Sequence, residues 1–138
     1  MATPTKTIRL RPRLRAQIDR IARRSRRSFS EVAQDLSEES LRLRECPGIY
    51  FVDEPAGREA KVSGTGLGVW EIMRDYLDLK GDEKKLRKCL PHVGPRELRA
   101  ARLYYAKYRD EIDAQIAENA ELTFEVLQAR YPGLVRRG

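Results

Sequence analysis

The sequence predicts a mainly α fold with short β elements: a strand and two helices, then a small β-hairpin and a helix-turn-helix. Three observations predict it. Residues 5–10 alternate polar and apolar side chains and run straight into a segment of helical period. A Cys46-Pro47-Gly48 break is followed by two short β-type runs around an acidic Pro/Gly turn. Two further helical segments then flank a tight turn at Pro91-His92-Val93-Gly94.

In Thr5-Lys6-Thr7-Ile8-Arg9-Leu10, Ile8 and Leu10 share one face of a strand, and Thr5, Thr7 and Arg9 share the other. So short a strand has no partner within its own module, and the cheapest partner is its own copy from a second chain. A dimer presenting a two-stranded ribbon follows, and such a ribbon fits the DNA major groove. Pro12 then opens a helix whose Leu14, Ile18, Ile21 and Ala22 recur at helical spacing. Ser28-Phe29-Ser30-Glu31 has the capping-box pattern that starts a second helix. That helix runs from 29 to about 45, with Val32, Ala33, Leu36, Leu41 and Leu43 as its expected buried face.

Beyond the Pro47-Gly48 stop, Ile49 to Val52 reads as a strand, 53–57 as a turn, and Arg58 to Val62 as the returning strand. Gly64-Thr65-Gly66-Leu67-Gly68 lacks the lysine of a phosphate-cradling loop and reads as a flexible lead-in to a helix over 69 to about 79. The expected core of that helix is Val69, Trp70, Met73 and Leu77. A short helix spans 82–90, and Pro95 opens another to about 108, packing Leu98, Ala101 and Tyr105 inward and exposing Arg96, Arg99 and Arg102. A last helix from about 110 carries Ile112, Ile116, Ala120, Leu127 and Tyr131 near one face until Pro132-Gly133. The expected organisation is a DNA-binding and dimerisation module over 1–45, a second domain over 46–121 and a partner-binding tail over 122–138.

Charge separates the two ends of the chain more sharply than its total of +7 suggests. Residues 1–27 hold ten Lys/Arg against Asp19 alone, so this end carries +9 and the rest carries −2. A polyanion is the natural partner of the basic end, the alternatives being a solvated arginine face or a surface for anionic lipid. No apolar run approaches the ~18 residues of a membrane span. The basic start has no apolar stretch of a secretion signal, so a cytoplasmic protein without membrane contact is expected. Cys46 and Cys89 match no metal or redox spacing, and His92 is the single histidine. No serine, cysteine or carboxylate has an evident base partner. Neither enzyme activity nor a metal or cofactor is expected.

Residues 5 to about 44 resemble the ribbon-helix-helix family of bacterial repressors and antitoxins, on Thr7-Ile8-Arg9-Leu10, the Leu14/Ile18/Ile21-Ala22 helix and Arg27-Ser28-Phe29-Ser30-Glu31-Val32. The resemblance implies base reading by Thr5, Thr7 and Arg9, where arginine suits guanine O6 and N7. It implies phosphate contact by Ser28 and the amides of Phe29 and Ser30, with Arg11, Arg23 and Arg27 around them. The glycine usual between the two helices is absent, Ser25-Arg26-Arg27 standing there instead.

Residues 46 to about 119 look like the family called domain of unknown function 433, on Pro47-Gly48-Ile49, Ala56-Gly57-Arg58, Gly64-Thr65, Val69-Trp70, the 100–105 run Ala-Ala-Arg-Leu-Tyr-Tyr and Glu111-Ile112-Asp113. Many members carry Gly-Thr-Arg at the helix start, and here Gly66 replaces the arginine. The resemblance implies a small winged-helix-like unit, often an antitoxin paired with a PIN-like ribonuclease toxin. Arg96, Arg99 and Arg102, exposed on a would-be recognition helix, could meet phosphate or form a solvated face, but the 82–113 stretch is not strongly basic, so dimerisation or spacing is the expected role of this unit and DNA contact by it is left open.

The tail offers Phe124, Leu127, Arg130, Tyr131, Leu134, Val135, Arg136 and Arg137 as candidate toxin-binding residues. An arginine there would meet the carboxylates of the nuclease's metal site. The expected function is a dimeric antitoxin that binds double-stranded operator DNA, represses its own operon and neutralises a PIN-like ribonuclease. The alternative is a stand-alone transcriptional repressor whose second domain oligomerises or senses a ligand. Dimer against higher oligomer is left open.

Overall fold

A computed structural model describes residues 3–120 and residue 129. Six helices and one two-stranded antiparallel sheet make up these residues: α1 (Pro12–Ser25), α2 (Phe29–Glu45), β1 (Ile49–Glu54), β2 (Gly57–Val62), α3 (Val69–Asp78), α4 (Glu83–Cys89), α5 (Pro95–Lys107) and α6 (Arg109–Ala120). The chain is mainly α with a short β-hairpin. It divides into two compact units, Met1–Arg44 and Glu45–Gly138. The candidate toxin-binding residues, and Leu127 and Tyr131 of the last helix's expected face, lie outside the described residues.

Unit 1 contains two helices and an extended leader. Pro12 begins α1, where its missing N–H costs nothing. The helix closes on Arg26 in the left-handed region (φ 54°, ψ 41°). Arg27 N–H reaches Ala22 O at 3.0 Å and Arg26 N–H reaches Arg23 O at 3.4 Å, which is the pairing of a Schellman ending. The αL position that glycine would fill without strain is therefore held by arginine. Ser28 Oγ accepts the Glu31 amide at 3.1 Å and starts α2. The core of the unit is small: Ile18, Ala22 and Val32, with Leu10, Phe29 and Ala33 packed against them.

Of two expectations for unit 1, the first concerns a second copy and the second is corrected. Residues 3–11 form no strand in a single copy, because a strand needs a hydrogen-bonded neighbour and none of the β pairings among the described residues includes them. Of the expected apolar face of α2, Val32 is buried and Ala33 half-buried, whereas Leu36, Leu41 and Leu43 remain exposed. Nothing among the described residues covers these three.

In unit 2 the hairpin runs from Ile49 opposite Val62 to Glu54 opposite Gly57. The turn is thus shorter than the 53–57 read from composition. Asp53 and Arg58 stay in register, joined by a 3.1 Å ion pair, and Pro55-Ala56 makes the reversal. Pro55 presets its own φ, and Gly57 supplies the φ of 128° needed to re-enter the sheet. The glycine loop after β2 is tied rather than flexible. Thr65 Oγ1 donates to Val62 O at 2.8 Å and accepts from Leu67 N at 3.0 Å, and Leu67 O takes the Val62 amide at 3.0 Å. Gly68 is then held where a Cβ would stand 2.9 Å from the Trp70 ring.

The inward faces of β1, β2 and the helices meet in one core of Ile49, Ala60, Val62, Val69, Ile72, Met73, Leu86, Leu98, Ala101, Tyr104 and Ile112, with Cys46 and Val93. α5 packs on α3, α6 and both strands, while α4 leans on α3. The outline read as a helix-turn-helix is therefore two helices that each dock on α3. Two expected core positions shift along their helices. Tyr104 is fully buried and Tyr105 only partly, and Ile72 takes the inward place while Leu77 is 45% exposed.

Candidate nucleic-acid interface

The candidate interface lies on unit 1, on the leader, the surface of α1 and the start of α2. Thr5, Thr7 and Arg9 are exposed. Ile8, on the opposite parity, is also exposed at 69%, while Leu10 tucks against the Ile18, Ala22 and Val32 cluster. The alternation therefore anchors one end of the leader and leaves Ile8 as an apolar side chain facing water.

Arg11 and Arg23 are exposed at the two ends of α1, which also displays Arg13, Arg15, Arg20 and Arg24. Cations in the last turn, Arg23 and Arg24, complement the negative end of the helix dipole. At the start of α2, Ser28 Oγ is occupied by the Glu31 amide, and the first backbone bond of the helix runs from Val32 N to Ser28 O at 3.1 Å. The amides of Phe29 and Ser30 precede that bond, and a helix of this length leaves them for an anion. The Ser30 hydroxyl accepts from Gln34 Nε2 at 3.0 Å. The Phe29 side chain is half-buried against the small core, so this residue offers its backbone and not its ring.

Arg27 differs from its neighbours. Its Nε donates to Glu31 at 3.2 Å and its Nη1 donates to Asp35. These bonds, Asp35 foremost and then Glu31, hold the guanidinium above its ordinary pKa. In a single copy Arg27 is committed to two carboxylates, and a phosphate must compete with them. Glu31, the last position of the capping-box pattern, thus reaches back to Arg27 in the link between α1 and α2. Nothing in sequence spacing alone distinguished Arg27 from Arg23, although Asp35 lies two turns along the same helix.

Beside this cationic surface lies an unpartnered apolar one. Leu14 (44% exposed) and Ile21 (43%) continue the stripe of buried Ile18 on α1, and Leu36 (40%) and Leu43 (41%) continue that of Val32 on α2. Six large apolar side chains of the unit, counting Ile8 and Leu41, face water against three buried residues. That ratio is the reverse of a self-sufficient domain.

Unit 2 supplies ordered polar contacts but no comparable cleft chemistry among the described residues. Tyr104 OH donates to Glu111 at 2.6 Å, Tyr105 OH to Asp113 at 2.8 Å and Tyr108 OH to Glu45 at 2.9 Å. Burial and the bond to Asp113 push the Tyr105 phenol above its ordinary pKa. Trp70 Nε1 donates to Glu59, and Arg74 lies 5.2 Å over the Trp70 ring. These bonds join helix to helix and helix to strand, and they read as structural. No helix among the described residues is long and apolar enough to cross a membrane. No family model, no curated protein and no solved structure matches the chain.

Proposed function

We propose that the chain is a homodimeric DNA-binding antitoxin. Unit 1 from two copies binds operator DNA and represses the operon, and the second unit with its tail neutralises a PIN-like ribonuclease. The observation that carries the DNA half is the joint exposure, in one copy of unit 1, of an arginine surface and an apolar face with almost no core of its own. A second copy covers the apolar face. Fully burying a half-exposed Leu or Ile returns about 1 kcal/mol, and six per copy add up to a substantial association energy. Pairing Ile8 and Leu10 with their counterparts turns the leader into a ribbon whose other face carries Thr5, Thr7 and Arg9. The antitoxin half is supported by the resemblance of the second unit and by the cationic, apolar composition of the tail.

The test is an anisotropy titration of the full chain on its own promoter fragment across a salt series. Affinity falls steeply with salt as phosphate counterions are released. Arg9→Ala costs about 1–3 kcal/mol on the promoter and little on random duplex, whereas Arg23→Ala weakens both alike. A flat salt profile, or full promoter preference in Arg9→Ala, overturns the DNA half. Co-expression with the neighbouring nuclease reads the other half. Truncation before Leu122 keeps DNA binding and loses neutralisation. Neutralisation that survives truncation removes the tail's role.

A further inference from the structure

We propose a second DNA-backbone surface, on α4 and α5 of unit 2, that grips duplex phosphates without reading sequence. It rests on the DNA-binding reading of unit 1. Averaged over residues 82–113 the charge is modest, diluted by Asp82 and Glu83 at the start of α4, by Glu97 of α5, and by Asp110, Glu111 and Asp113 of α6. Asp113 bonds Tyr105 and Arg109, and Glu111 takes the Tyr104 hydroxyl. Over residues 84–102 there are seven Lys/Arg and a single acid, Glu97. The Glu97 carboxylate folds over Gly94 at the start of α5, 2.9 Å from where a Cβ would stand, so it serves the helix end.

Six of the seven cations, Lys84, Lys85, Arg87, Lys88, Arg96 and Arg99, are exposed and make no ion pair among the described residues. Elsewhere among the described residues of the unit four cations are matched, Arg58 to Asp53 at 3.1 Å, Lys61 to Glu54 at 2.9 Å, Arg74 to Asp75 at 2.9 Å and Arg109 to Asp113 at 3.7 Å, while Lys80 and Lys107 are not. The unmatched charge is thus concentrated on two helices. The seventh cation links them. The Arg102 guanidinium of α5 lies 5.3 Å over the Tyr76 ring, and the Tyr76 hydroxyl lies 3.2 Å from where a Cβ on Gly81 would stand, in the turn that opens α4. One ring therefore bridges the α5 stripe to the base of α4.

Duplex DNA is favoured over single-stranded RNA because the ring beside these cations, Tyr76, is packed against the core and covered by Arg102, whereas single-strand binders stack bases on open rings. Phosphate contact by free lysine and arginine needs no aromatic platform. The tether also favours DNA. α2 ends at Glu45, where unit 2 begins, so unit 1 on its site holds unit 2 at high effective concentration near the flanking backbone.

The experiment compares the full chain with Lys84→Gln/Lys85→Gln/Arg87→Gln/Lys88→Gln and, separately, Arg96→Gln/Arg99→Gln. Each is titrated on a random duplex of about 40 bp and on the promoter fragment across a salt series, with circular dichroism to confirm folding. Each lost phosphate contact flattens the slope of log affinity on log salt by about 0.9. The expected result is a slope flatter by about 1–3 and affinity down about 10-fold or more, equally on both duplexes, with promoter preference kept. Unchanged slope and affinity overturn the inference. A loss confined to the promoter overturns it too, since that is base reading, as does a loss seen only with a single-stranded RNA probe. Arg9→Ala separates this from the reading of unit 1: if it abolishes promoter preference while the glutamine variants bind normally, only the second surface falls.

Discussion

Unit 2 closes its own core and unit 1 does not. Thirteen buried residues, drawn from two strands, four helices and the segments between them, meet in unit 2, against three in unit 1. The difference follows from architecture. A hairpin presents one face, α3 and α5 cover it, and α6 packs on both of them, so Tyr104, Ile72 and Ile112 are fully buried. Two helices and an extended leader have no third layer, and their apolar stripes end at water. The contrast teaches that unit 2 draws its stability from within the chain, whereas unit 1, on the function proposed above, draws it from a second copy.

The sharpest way to break that contrast is at the centre of unit 2. Ile72 is fully buried, and Ile72→Ala leaves a cavity that its rigid neighbours do not fill. The expected loss is about 2–5 kcal/mol by denaturant titration, independent of protein concentration. A cost under about 1 kcal/mol, or one that shrinks as the protein is concentrated, means that unit 2 is not self-sufficient.

Leu36 is the matching position in unit 1. It is 40% exposed in one copy, and an exposed leucine on an isolated unit changes stability by only about 0.5 kcal/mol when cut to alanine. Covered by a second copy, it behaves as a core residue, and Leu36→Ala costs about 2 kcal/mol. The transition of unit 1 then rises in temperature with protein concentration and that of unit 2 does not. Calorimetry across a wide concentration range checks both. Two concentration-independent transitions remove the dimer.

The same contrast decides what sequence could convey. Punctuation was legible throughout: Pro12 and Pro95 start helices, Ser28 caps one, and Pro47-Gly48 ends one. These are local effects that the chain carries with it. Errors fall where a longer-range partner decides. The hairpin extends through Asp53 because Arg58 stands across from it, although its composition reads as turn. Tyr104 and Tyr105 fit helical spacing almost equally well, and the edge of Phe51, 6.3 Å away, accompanies burial of the first. The free amides at the start of α2 followed from the cap, whereas the engagement of Arg27 by Asp35 depends on side-chain reach that spacing does not encode. In unit 1, Leu36 and Leu43 read as buried because their period is right, and among the described residues no face covers them.

The smallest expected effect concerns Arg26, and its sign is opposite to the others. The sequence lacks the glycine expected between the helices, and the geometry accounts for what the absence costs. Arg26 adopts φ 54° so that Arg27 N–H reaches Ala22 O and α1 ends in a tight reversal. A side chain in that region carries about 1 kcal/mol of steric cost, which glycine avoids at the price of a more flexible unfolded chain. Arg26→Gly therefore raises the stability of unit 1 by about 0.5–1 kcal/mol, while Arg26→Ala, equally strained, does not. The pair of variants separates backbone strain from lost charge, since both remove the guanidinium. Equal gains in the two assign the effect to relief of cationic repulsion among Arg23, Arg24 and Arg27, and a loss in the glycine variant shows that the arginine side chain itself holds the reversal.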